Sequence, residues 1–337
     1  MLPSRTGGTE LKYRTIPKSD IEVSVIALGC WAFAGDRNWG DQDDRDSIAA
    51  VQRALDRGIT LFDTAVAYGD GHSEEILGRA LEGRRSDTVI ATKPPASEAT
   101  ADELERSCDG SLKRLRTDYI DLYQQHWPKR DVPFEETVAG MDRLKEKGKI
   151  RRWGVCNYGG GDLGNLLRHG TPATNQLCYS LLWRAIEYEI VPKCVEAQIG
   201  VLCYSPIAQG LLTGKFRSAG DVPAGRARTK HFASSRPEAR HDEEGAEAET
   251  FRVIDAVRDL AEEHDRSMAH LAIGWLLAQP GVTSVLTGAR HAEQVDENAA
   301  AGDVDLSREL LDTLTAESDE LKRKLGRDAD PWAYRMR

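Results

Sequence analysis

Four residues whose side chains can transfer or hold protons lie at or shortly after the ends of three successive apolar runs. The stretch Leu61–Gly69, LFDTAVAYG, ends its apolar run at Asp63 and places Tyr68 five residues later, and the next two runs end beside Lys93 and His126. A tyrosine phenol has a pKa near ~10, and it becomes a usable proton donor and acceptor when a nearby cation stabilises the phenolate. Lys93 can supply that charge, Asp63 can hold Lys93 in place, and His126 can hydrogen-bond a carbonyl oxygen. These groups together suit carbonyl reduction, provided that a cofactor delivers the hydride.

The elements around these residues predict where they meet. Candidate strands lie at 23–29, 60–65, 88–93, 119–126, 150–157, 174–180, 200–206 and 282–289. Helical patterns separate them, and such alternation predicts a parallel sheet covered by helices. Eight such units fit an α/β fold of one kind, the closed (β/α)8 TIM barrel, whose chemistry lies at the C-terminal ends of the strands. Asp63, Lys93 and His126 are therefore expected at one rim of the barrel.

Two helix boundaries have sequence signals. The pattern DSIAAVQRALDRG ends in Gly58, and glycine is common just past a helix C-terminus. The pattern HSEEILGRALEG predicts a helix that Ser73 caps, with acidic residues in its first turn.

Three pieces lie outside the strand–helix repeat of what we predict to be a single domain over 1–337. Residues 10–22 resemble an N-terminal hairpin that could plug the barrel floor. Residues 217–249 are polar and too long for a passive connection, which predicts a partly disordered loop, a mobile lid, or both. The tail 323–337 either folds over the pocket through Trp332 and Tyr334 or frays.

Composition excludes several classes of partner. The chain has 337 residues and a net charge of -10, from 55 acidic and 45 basic residues. This balance argues against binding to nucleic acid or to an anionic membrane, since both need a basic face. The N-terminus lacks the apolar core of a signal peptide, and no apolar run is long enough to span a membrane, so we expect a cytoplasmic protein. The sequence allows an oligomer and leaves the oligomeric state open.

The cysteines carry no metal or disulfide signal. The six are Cys30, Cys108, Cys156, Cys178, Cys194 and Cys203. They form no C-x-x-C pair and no cluster with zinc spacing, so we expect no metal and no disulfide. We interpret them as reduced, mostly buried small hydrophobic residues.

Three motifs together resemble a known family. The block LFDTAVAYGDGHSEEILG, the TK that closes the third strand, and DLYQQHWP resemble the aldo-keto reductases, and the resemblance runs over nearly the whole chain. It implies a catalytic tetrad of Asp63, Tyr68, Lys93 and His126, with Tyr68 as general acid and base. It also implies NADP(H) or NAD(H) bound extended across the barrel mouth, without a Rossmann domain.

Later motifs are similar to the family's cofactor-binding segments. WGVCNY and TNQLCYS imply carboxamide binding by Cys156, Asn157 and Gln176. CYSPIAQGLLTGK implies stacking of the nicotinamide on Tyr204, and a path for the pyrophosphate along Ser205, Ile207, Gly210 and Lys215. TGARHAEQVDENAAA implies an adenosine end formed by Gly288, Ala289, Arg290, Gln294, Glu297 and Asn298.

Two of these positions depart from the family pattern, and a third bears on the choice of cofactor. The family usually has Ser or Thr at Cys156, which weakens the expected hydrogen bond to the carboxamide, and Ile207 replaces a frequent Leu at similar volume. Arg290 stands between a strand and a helix, where barrel enzymes commonly bind phosphate. A guanidinium that meets a 2′-phosphate favours NADP(H). The alternative for Arg290 is a solvated surface cation.

The substrate is predicted only as a class. Aromatic residues just past strand ends can wall an apolar or sugar-stacking pocket, or simply pack at the rim: Trp31, Phe33 and Trp127. Polar residues that could hydrogen-bond a substrate are Asp36, Arg37 and Asp41. The stretch LGCWAFAGDRNWGDQDD resembles the bacterial branch of the family that acts on aldehydes, sugars and polyols. We therefore expect a small carbonyl substrate such as an aldehyde, an aldose or a keto-sugar, or the matching polyol.

The sequence supports three other interpretations less well. Residues 159–164 satisfy G-x-G-x-x-G, but they follow the fifth strand rather than the first, so a Rossmann site is a weak prediction. A non-catalytic regulatory subunit that binds the cofactor on the same fold also stays open. The channel β-subunits resemble this family, and fold does not fix function. A Schiff-base lyase acting through Lys93 is the third.

Overall fold

The described chain begins with an antiparallel hairpin. A computed structural model describes residues 11–35 and 39–331, and in it β1 (Tyr13–Thr15) pairs with β2 (Glu22–Ser24). The Ile16 N–H donates to the Ile21 carbonyl at 2.9 Å, which closes the turn. Both isoleucines are buried in a cluster with interior residues of the barrel. The predicted hairpin is thus confirmed, slightly further along the chain, and it covers the floor of the barrel.

Eight parallel strands form the closed barrel that the sequence predicts. In chain order these are β3 (Ile26–Gly29), β4 (Leu61–Asp63), β5 (Val89–Thr92), β6 (Ile120–Gln125), β7 (Ile150–Cys156), β8 (Thr174–Cys178), β9 (Gly200–Tyr204) and β10 (Val282–Gly288). Each strand pairs with the next one, and β10 closes the barrel against β3. This topology makes β4, β5 and β6 immediate neighbours, so residues that follow these strands lie side by side.

Helices surround the barrel. They are α1 (Asp44–Asp56), α2 (His72–Ala80), α3 (Ala101–Leu115), α4 (Phe134–Glu146), α5 (Gly160–Leu166), α6 (Ile190–Ala197), α7 (Glu247–Glu263), α8 (Met268–Leu277), α9 (Ala292–Ala301) and α10 (Arg308–Leu325). The larger of two apolar clusters joins the barrel to these helices, and the smaller one fills the barrel interior. No helix within the described ranges combines the length and apolar character needed to cross a membrane.

The two predicted helix boundaries have different outcomes. Gly58 follows the end of α1 with a φ of 83°, as predicted. The predicted Ser73 cap is wrong, because α2 begins at His72 and Gly71 is its N-cap residue. The buried Ser73 hydroxyl instead donates to the Cys30 carbonyl at 2.8 Å and lies 2.9 Å from the Thr64 hydroxyl. It therefore ties the loop after β4 to the end of β3.

The long polar segment before α7 packs against the barrel. We call residues 217–246 the lid segment, because α7 takes up the last residues of the predicted loop. The segment contains two short 3₁₀ turns, and its central residues 227–232 are buried. Lys230 pairs with Glu243 within the segment at 2.6 Å and with Asp328 after α10 at 2.8 Å. These contacts hold the segment over one side of the barrel mouth.

The close approach of α2 to α3 generates a stability prediction. A Cβ at Gly78 would stand 2.5 Å from the Arg114 carbonyl oxygen, which belongs to backbone and cannot move away easily. Gly78→Ala should therefore lower the free energy of unfolding by about 1–3 kcal/mol through overpacking. The measurement is thermal or urea unfolding.

Gly164→Ala is the matched control, since it also lies within a helix. Its Cβ would meet only the flexible end of Lys193, at 3.4 Å, and alanine suits a helix better than glycine. Equal stability losses in the two variants would contradict this account of the α2–α3 contact.

Candidate active site

Three of the four predicted catalytic residues follow neighbouring strands. Asp63 ends β4, Lys93 follows β5 and His126 follows β6. Because these strands are parallel and adjacent, the three side chains emerge at the same rim of the barrel. Tyr68 reaches this rim from the loop after β4, so the structure brings the predicted tetrad together.

A buried ion pair forms the centre of the site. The Lys93 ammonium donates to the Asp63 carboxylate at 2.7 Å and to the Thr64 carbonyl at 2.9 Å. The Lys93 side chain is 0% exposed and that of Asp63 is 4% exposed. Burial acts to lower the pKa of Lys93, but the Asp63 carboxylate and the Tyr68 phenol act to raise it, and the net shift is upward. Lys93 therefore stays protonated at physiological pH.

The second oxygen of the Asp63 carboxylate receives two amide donors. Gln176 Nε2 donates to it at 2.7 Å and Gln124 Nε2 at 3.3 Å. The Thr174 hydroxyl donates to the Gln124 carbonyl oxygen at 3.2 Å, which orients the Gln124 amide group toward Asp63. The sequence prediction missed Gln124, which lies two residues after Leu122 on the face of β6 that points into the barrel.

The Tyr68 ring stands among groups that control its proton. The Lys93 ammonium lies 5.2 Å from the ring centroid, Trp31 stacks on the ring at 6.0 Å, and His126 meets it edge-on at 6.1 Å. Burial raises the pKa of the Tyr68 phenol, while the charge of Lys93 and its hydrogen bond act in the opposite direction. The phenol is therefore protonated at neutral pH, next to a fixed cation that would stabilise its anion.

His126 is neutral in this setting. Burial, with a further contribution from the charge of Lys93, lowers the pKa of the imidazole to about 3. A neutral imidazole carries one N–H donor, which can hydrogen-bond a carbonyl oxygen without adding a charge to the site. The backbone carbonyl of His126 accepts a hydrogen bond from Asn157 Nδ2 at 3.2 Å, which links the residue to the end of β7.

A cavity of about 840 Å³ opens beside the tetrad. It contacts three members of the tetrad, while the fully buried Lys93 lies behind them. Thirteen of the fourteen predicted cofactor-binding residues line it: Cys156, Asn157, Gln176, Tyr204, Ser205, Ile207, Gly210, Lys215, Gly288, Ala289, Arg290, Gln294 and Asn298. Glu297 does not line the cavity and is exposed on α9, where its backbone carbonyl accepts a hydrogen bond from the His270 ring.

Polar groups form a chain at the end of the cavity nearest the tetrad. The Tyr204 hydroxyl donates to Asn157 Oδ1 at 2.8 Å, and Asn157 Nδ2 donates to the Cys156 sulfur at 3.2 Å. The Cys156 thiol lies 3.6 Å from the Gln176 carbonyl oxygen. Burial raises the pKa of Cys156 to about 12, so the thiol keeps its proton and is a weak donor. All six cysteines are buried and free, in agreement with their interpretation from the sequence.

Two cations meet over a glycine in the middle of the cavity. A Cβ at Gly210 would stand 2.8 Å from the Lys215 ammonium and 3.5 Å from a guanidinium nitrogen of Arg226. Burial, and then the charge of Arg226, lower the pKa of Lys215, as expected for like charges held close together. The nearby Ser205 backbone adopts a φ of 54°, and such strain is common at ligand sites. The arrangement suits an anionic group, and the sequence prediction missed Arg226.

Arg290 lies at the far end of the cavity, just before α9. Its Nε donates to Gln42 Oε1 at 2.7 Å, and its backbone N–H donates to Gln294 Oε1 at 2.7 Å. Asn298 Nδ2 donates to the Gly288 carbonyl at 3.1 Å. The guanidinium is thus oriented by the loop before α1 while it lines the cavity, rather than being freely solvated.

The aromatic wall agrees only in part with the sequence prediction. Trp31 and Trp127 line the cavity, together with Trp39, which the prediction missed. Phe33 is 1% exposed and packs in the apolar core, because the 3₁₀ turn after β3 directs it inward. Asp41 does not line the cavity, although its carbonyl accepts a hydrogen bond from Arg290. The predicted roles of Asp36, Arg37, Trp332 and Tyr334 fall outside the described residues.

Comparison with known proteins places this site in a family. The profile of the Aldo/keto reductase family matches residues 25–318. Methylglyoxal reductase YeaE of Escherichia coli is 33% identical over 298 residues, which cover 88% of this chain and 91% of the relative. A probable voltage-gated potassium channel subunit beta of Oryza sativa is 31% identical over 326 residues, covering 91% and 96% of the two chains.

A solved structure resembles the chain over a similar extent. The aldo-keto reductase from Klebsiella pneumoniae in complex with NADPH is 32% identical, with a TM-score of 0.69, and the match covers 88% of this chain and 91% of that one. The barrel, the convergence of Asp63, Tyr68, Lys93 and His126, and the profile match over most of the chain lead to one conclusion: this protein belongs to the aldo/keto reductase family.

Proposed function

We propose that the chain is an NADP(H)-dependent oxidoreductase that transfers hydride between the nicotinamide and a carbonyl or alcohol, with Tyr68 as general acid and base. The observation that carries the proposal is the buried Asp63–Lys93 pair beside the protonated Tyr68 phenol, at the edge of a large cavity. An ion pair that only stabilised the fold would not need a partly exposed phenol and a neutral imidazole beside it.

The residues that line the cavity fit a dinucleotide phosphate. Amide and carbonyl groups of Asn157 and Gln176 would hold the carboxamide, and Tyr204 would stack on the nicotinamide ring. Lys215 and Arg226, which converge over Gly210, would bind the pyrophosphate. Bound NADP(H) supplies the hydride that no side chain can deliver. The NADPH in the Klebsiella pneumoniae relative supports the phosphorylated cofactor for this chain.

Side chains of this protein would then handle the proton and the oxygen of the substrate. In reduction, the Tyr68 hydroxyl donates its proton to the oxygen of the substrate, and in oxidation the phenolate takes it back. Lys93 stabilises the phenolate because its charge is fixed by Asp63. The neutral His126 donates a hydrogen bond to the same oxygen and orients it toward Tyr68.

The substrate class that we propose is a small aldehyde, aldose or keto-sugar, or the corresponding alcohol. Trp31, Trp39 and Trp127 supply an apolar wall near Tyr68 against which a carbon chain or sugar face can pack. The name of the Escherichia coli relative makes methylglyoxal a suitable first probe. Turnover of polyols would indicate the oxidative direction.

Two rival functions have weaker support. A non-catalytic regulatory role is favoured by the likeness to a probable channel subunit, but such a role does not require a proton donor next to a buried cation. A Schiff-base role for Lys93 needs a neutral, accessible amine. The Lys93 ammonium is buried, donates to Asp63 and Thr64, and has a raised pKa, which makes it a poor nucleophile.

Tyr68→Phe tests the proposed general acid. The ring and its packing on Trp31 are kept while the proton is lost, so kcat for carbonyl reduction should fall by about 10²–10⁴-fold. The affinity for NADPH, measured by fluorescence titration, should stay within a few fold. Full turnover by this variant in a methylglyoxal assay followed at the nicotinamide absorbance would rule out Tyr68 as the acid.

Arg290→Ala tests the choice of cofactor. The guanidinium is predicted to contact the 2′-phosphate, so the variant should lose about 10-fold or more in NADPH affinity, the loss expected for a charge-assisted hydrogen bond, and little in NADH affinity. Arg308→Ala is the control, because Arg308 is exposed on α10 and pairs only with Asp312 among the described residues. Equal losses for the two cofactors would remove Arg290 from the 2′-phosphate site.

A further inference from the structure

The barrel interior holds a buried amide that does not reach the cavity. Gln124 of β6 is 0% exposed and does not line the cavity, so it does not touch a ligand bound there. Leu122, two residues earlier on the same face of the strand, belongs to the apolar cluster of the barrel interior. Burying an amide beside such a cluster lowers stability unless hydrogen bonds satisfy both of its ends. On packing grounds alone, an apolar side chain would suit this position better.

Two hydrogen bonds satisfy the Gln124 amide. Its Nε2 donates to Asp63 Oδ2 at 3.3 Å, and its Oε1 accepts a hydrogen bond from the Thr174 hydroxyl at 3.2 Å. Thr174 is 0% exposed and does not line the cavity either. The three side chains therefore form a line across the barrel interior, from β8 through β6 to the carboxylate at the end of β4.

A glycine makes this line possible. Gln124 pairs with Gly154 of β7, the strand that separates β6 from β8. A Cβ at Gly154 would overlap the Thr174 hydroxyl oxygen and would stand 3.3 Å from Gln124 Cγ. The absence of a side chain at Gly154 thus lets the hydroxyl reach the amide across β7. Three adjacent strands contribute to one hydrogen-bonded contact with Asp63.

The amide acts on the Asp63 oxygen that Lys93 does not bind. Lys93 donates to Oδ1, whereas Gln124 and Gln176 donate to Oδ2. Gln176 also lines the cavity, where the carboxamide of a nicotinamide would compete for its amide group. The hydrogen-bond partners of Gln124 among the described residues are Asp63 and Thr174. Gln124 is therefore the donor dedicated to the carboxylate.

The charges of Asp63 and Lys93 act on the Tyr68 phenol in opposite directions. Burial raises the pKa of Tyr68, the Lys93 charge lowers it and the Asp63 charge raises it. Burial keeps three further titratable groups near the pair uncharged at neutral pH, because it raises the pKa of each thiol and lowers that of the imidazole: Cys30, Cys156 and His126. A donor on Oδ2 draws negative charge away from Oδ1, so that Asp63 cancels less of the Lys93 charge at the phenol. Loss of the Gln124 amide should therefore weaken Tyr68 as an acid.

We propose that Gln124 is a positioning residue for the proposed reaction, because its amide holds the Asp63 carboxylate in the orientation that fixes Lys93. Thr174 belongs to the same arrangement, since its hydroxyl orients that amide. The inference rests on the proposed function and adds a residue that acts through the tetrad without touching substrate or cofactor. A residue that only filled the core would stabilise the fold without changing the rate of the chemical step.

Gln124→Met tests the proposal on the full-length protein with NADPH and methylglyoxal. Methionine keeps the length of the side chain and removes the amide. The single-turnover rate constant should fall by about 3–10-fold, the effect of losing one hydrogen bond to a carboxylate. The dissociation constant of NADPH and the half-saturating concentration of methylglyoxal should stay within about two-fold of the wild type, since Gln124 does not line the cavity.

Two substitutions of Thr174 form a matched pair. Thr174→Val keeps the shape of the side chain but loses the hydroxyl, so the rate constant should fall by at least about 3-fold. Thr174→Ser keeps the hydroxyl and should retain more than about half of the wild-type rate constant. In the Gln124→Met background, Thr174→Val should cause no further fall, because the hydroxyl then has no amide to orient.

Three results would overturn the inference. A wild-type rate constant in Gln124→Met would show that the amide only fills the core. Equal losses in the two Thr174 variants would show a packing effect, and they can be compared even if Gln124→Met lowers the stability of the fold. A further fall in the double variant would separate Thr174 from Gln124. These three results leave the proposed function standing, whereas a wild type that reduces no aldehyde with NADPH contradicts the function and the inference together.

Discussion

The buried ion pair between Asp63 and Lys93 constrains the rest of the site. Both side chains are almost completely buried, and each charge is held by groups that the barrel places at its rim, including the Thr64 carbonyl and the amides of Gln124 and Gln176. Removing one partner of such a pair leaves an uncompensated buried charge, which costs about 3–5 kcal/mol. The pair is thus a poor means of stabilising the fold but an effective means of fixing a cation at one position.

The fixed Lys93 ammonium lies between the Tyr68 phenol and the residues expected to hold the nicotinamide. On one side, Lys93 faces the Tyr68 ring, whose phenol is kept protonated by burial while its anion is favoured by the cation. On the other side, Asp63 accepts a hydrogen bond from Gln176, and Gln176 is linked through the Cys156 thiol to the residues expected to hold the nicotinamide. The proton-transfer groups and the proposed hydride site therefore share one continuous hydrogen-bonded network.

The sequence predicted this centre because a parallel barrel has simple geometry. Residues that end successive strands must meet at one rim, so Asp63, Lys93 and His126 could be brought together from their spacing alone. The direction in which an individual side chain packs is harder to predict from the sequence. Ser73 matched a helix cap by type, but its hydroxyl is buried between β3 and the loop after β4. Phe33 matched a pocket wall, but the turn after β3 directs it into the core.

Contributions from irregular segments were the hardest to foresee. The polar composition of 217–249 predicted a loop or lid and gave no indication that Arg226, Arg228 and Arg240 would line the cavity. Their placement depends on tertiary contacts such as those of His231 and Lys230, which link residues far apart in the chain. Gln124 was missed for a related reason, since its role depends on which face of β6 points into the barrel.

The central claim is that Lys93 makes Tyr68 a proton donor, and single-turnover kinetics of Lys93→Met tests it most directly. NADPH oxidation by methylglyoxal would be followed by stopped flow in the wild type and the variant, with NADPH binding measured separately by fluorescence. The account predicts that the rate constant falls by at least about 10²-fold, the usual contribution of general acid catalysis, in protein that still binds NADPH. A rate constant within about two-fold of the wild type would contradict it, because the loss of general acid catalysis has a far larger effect.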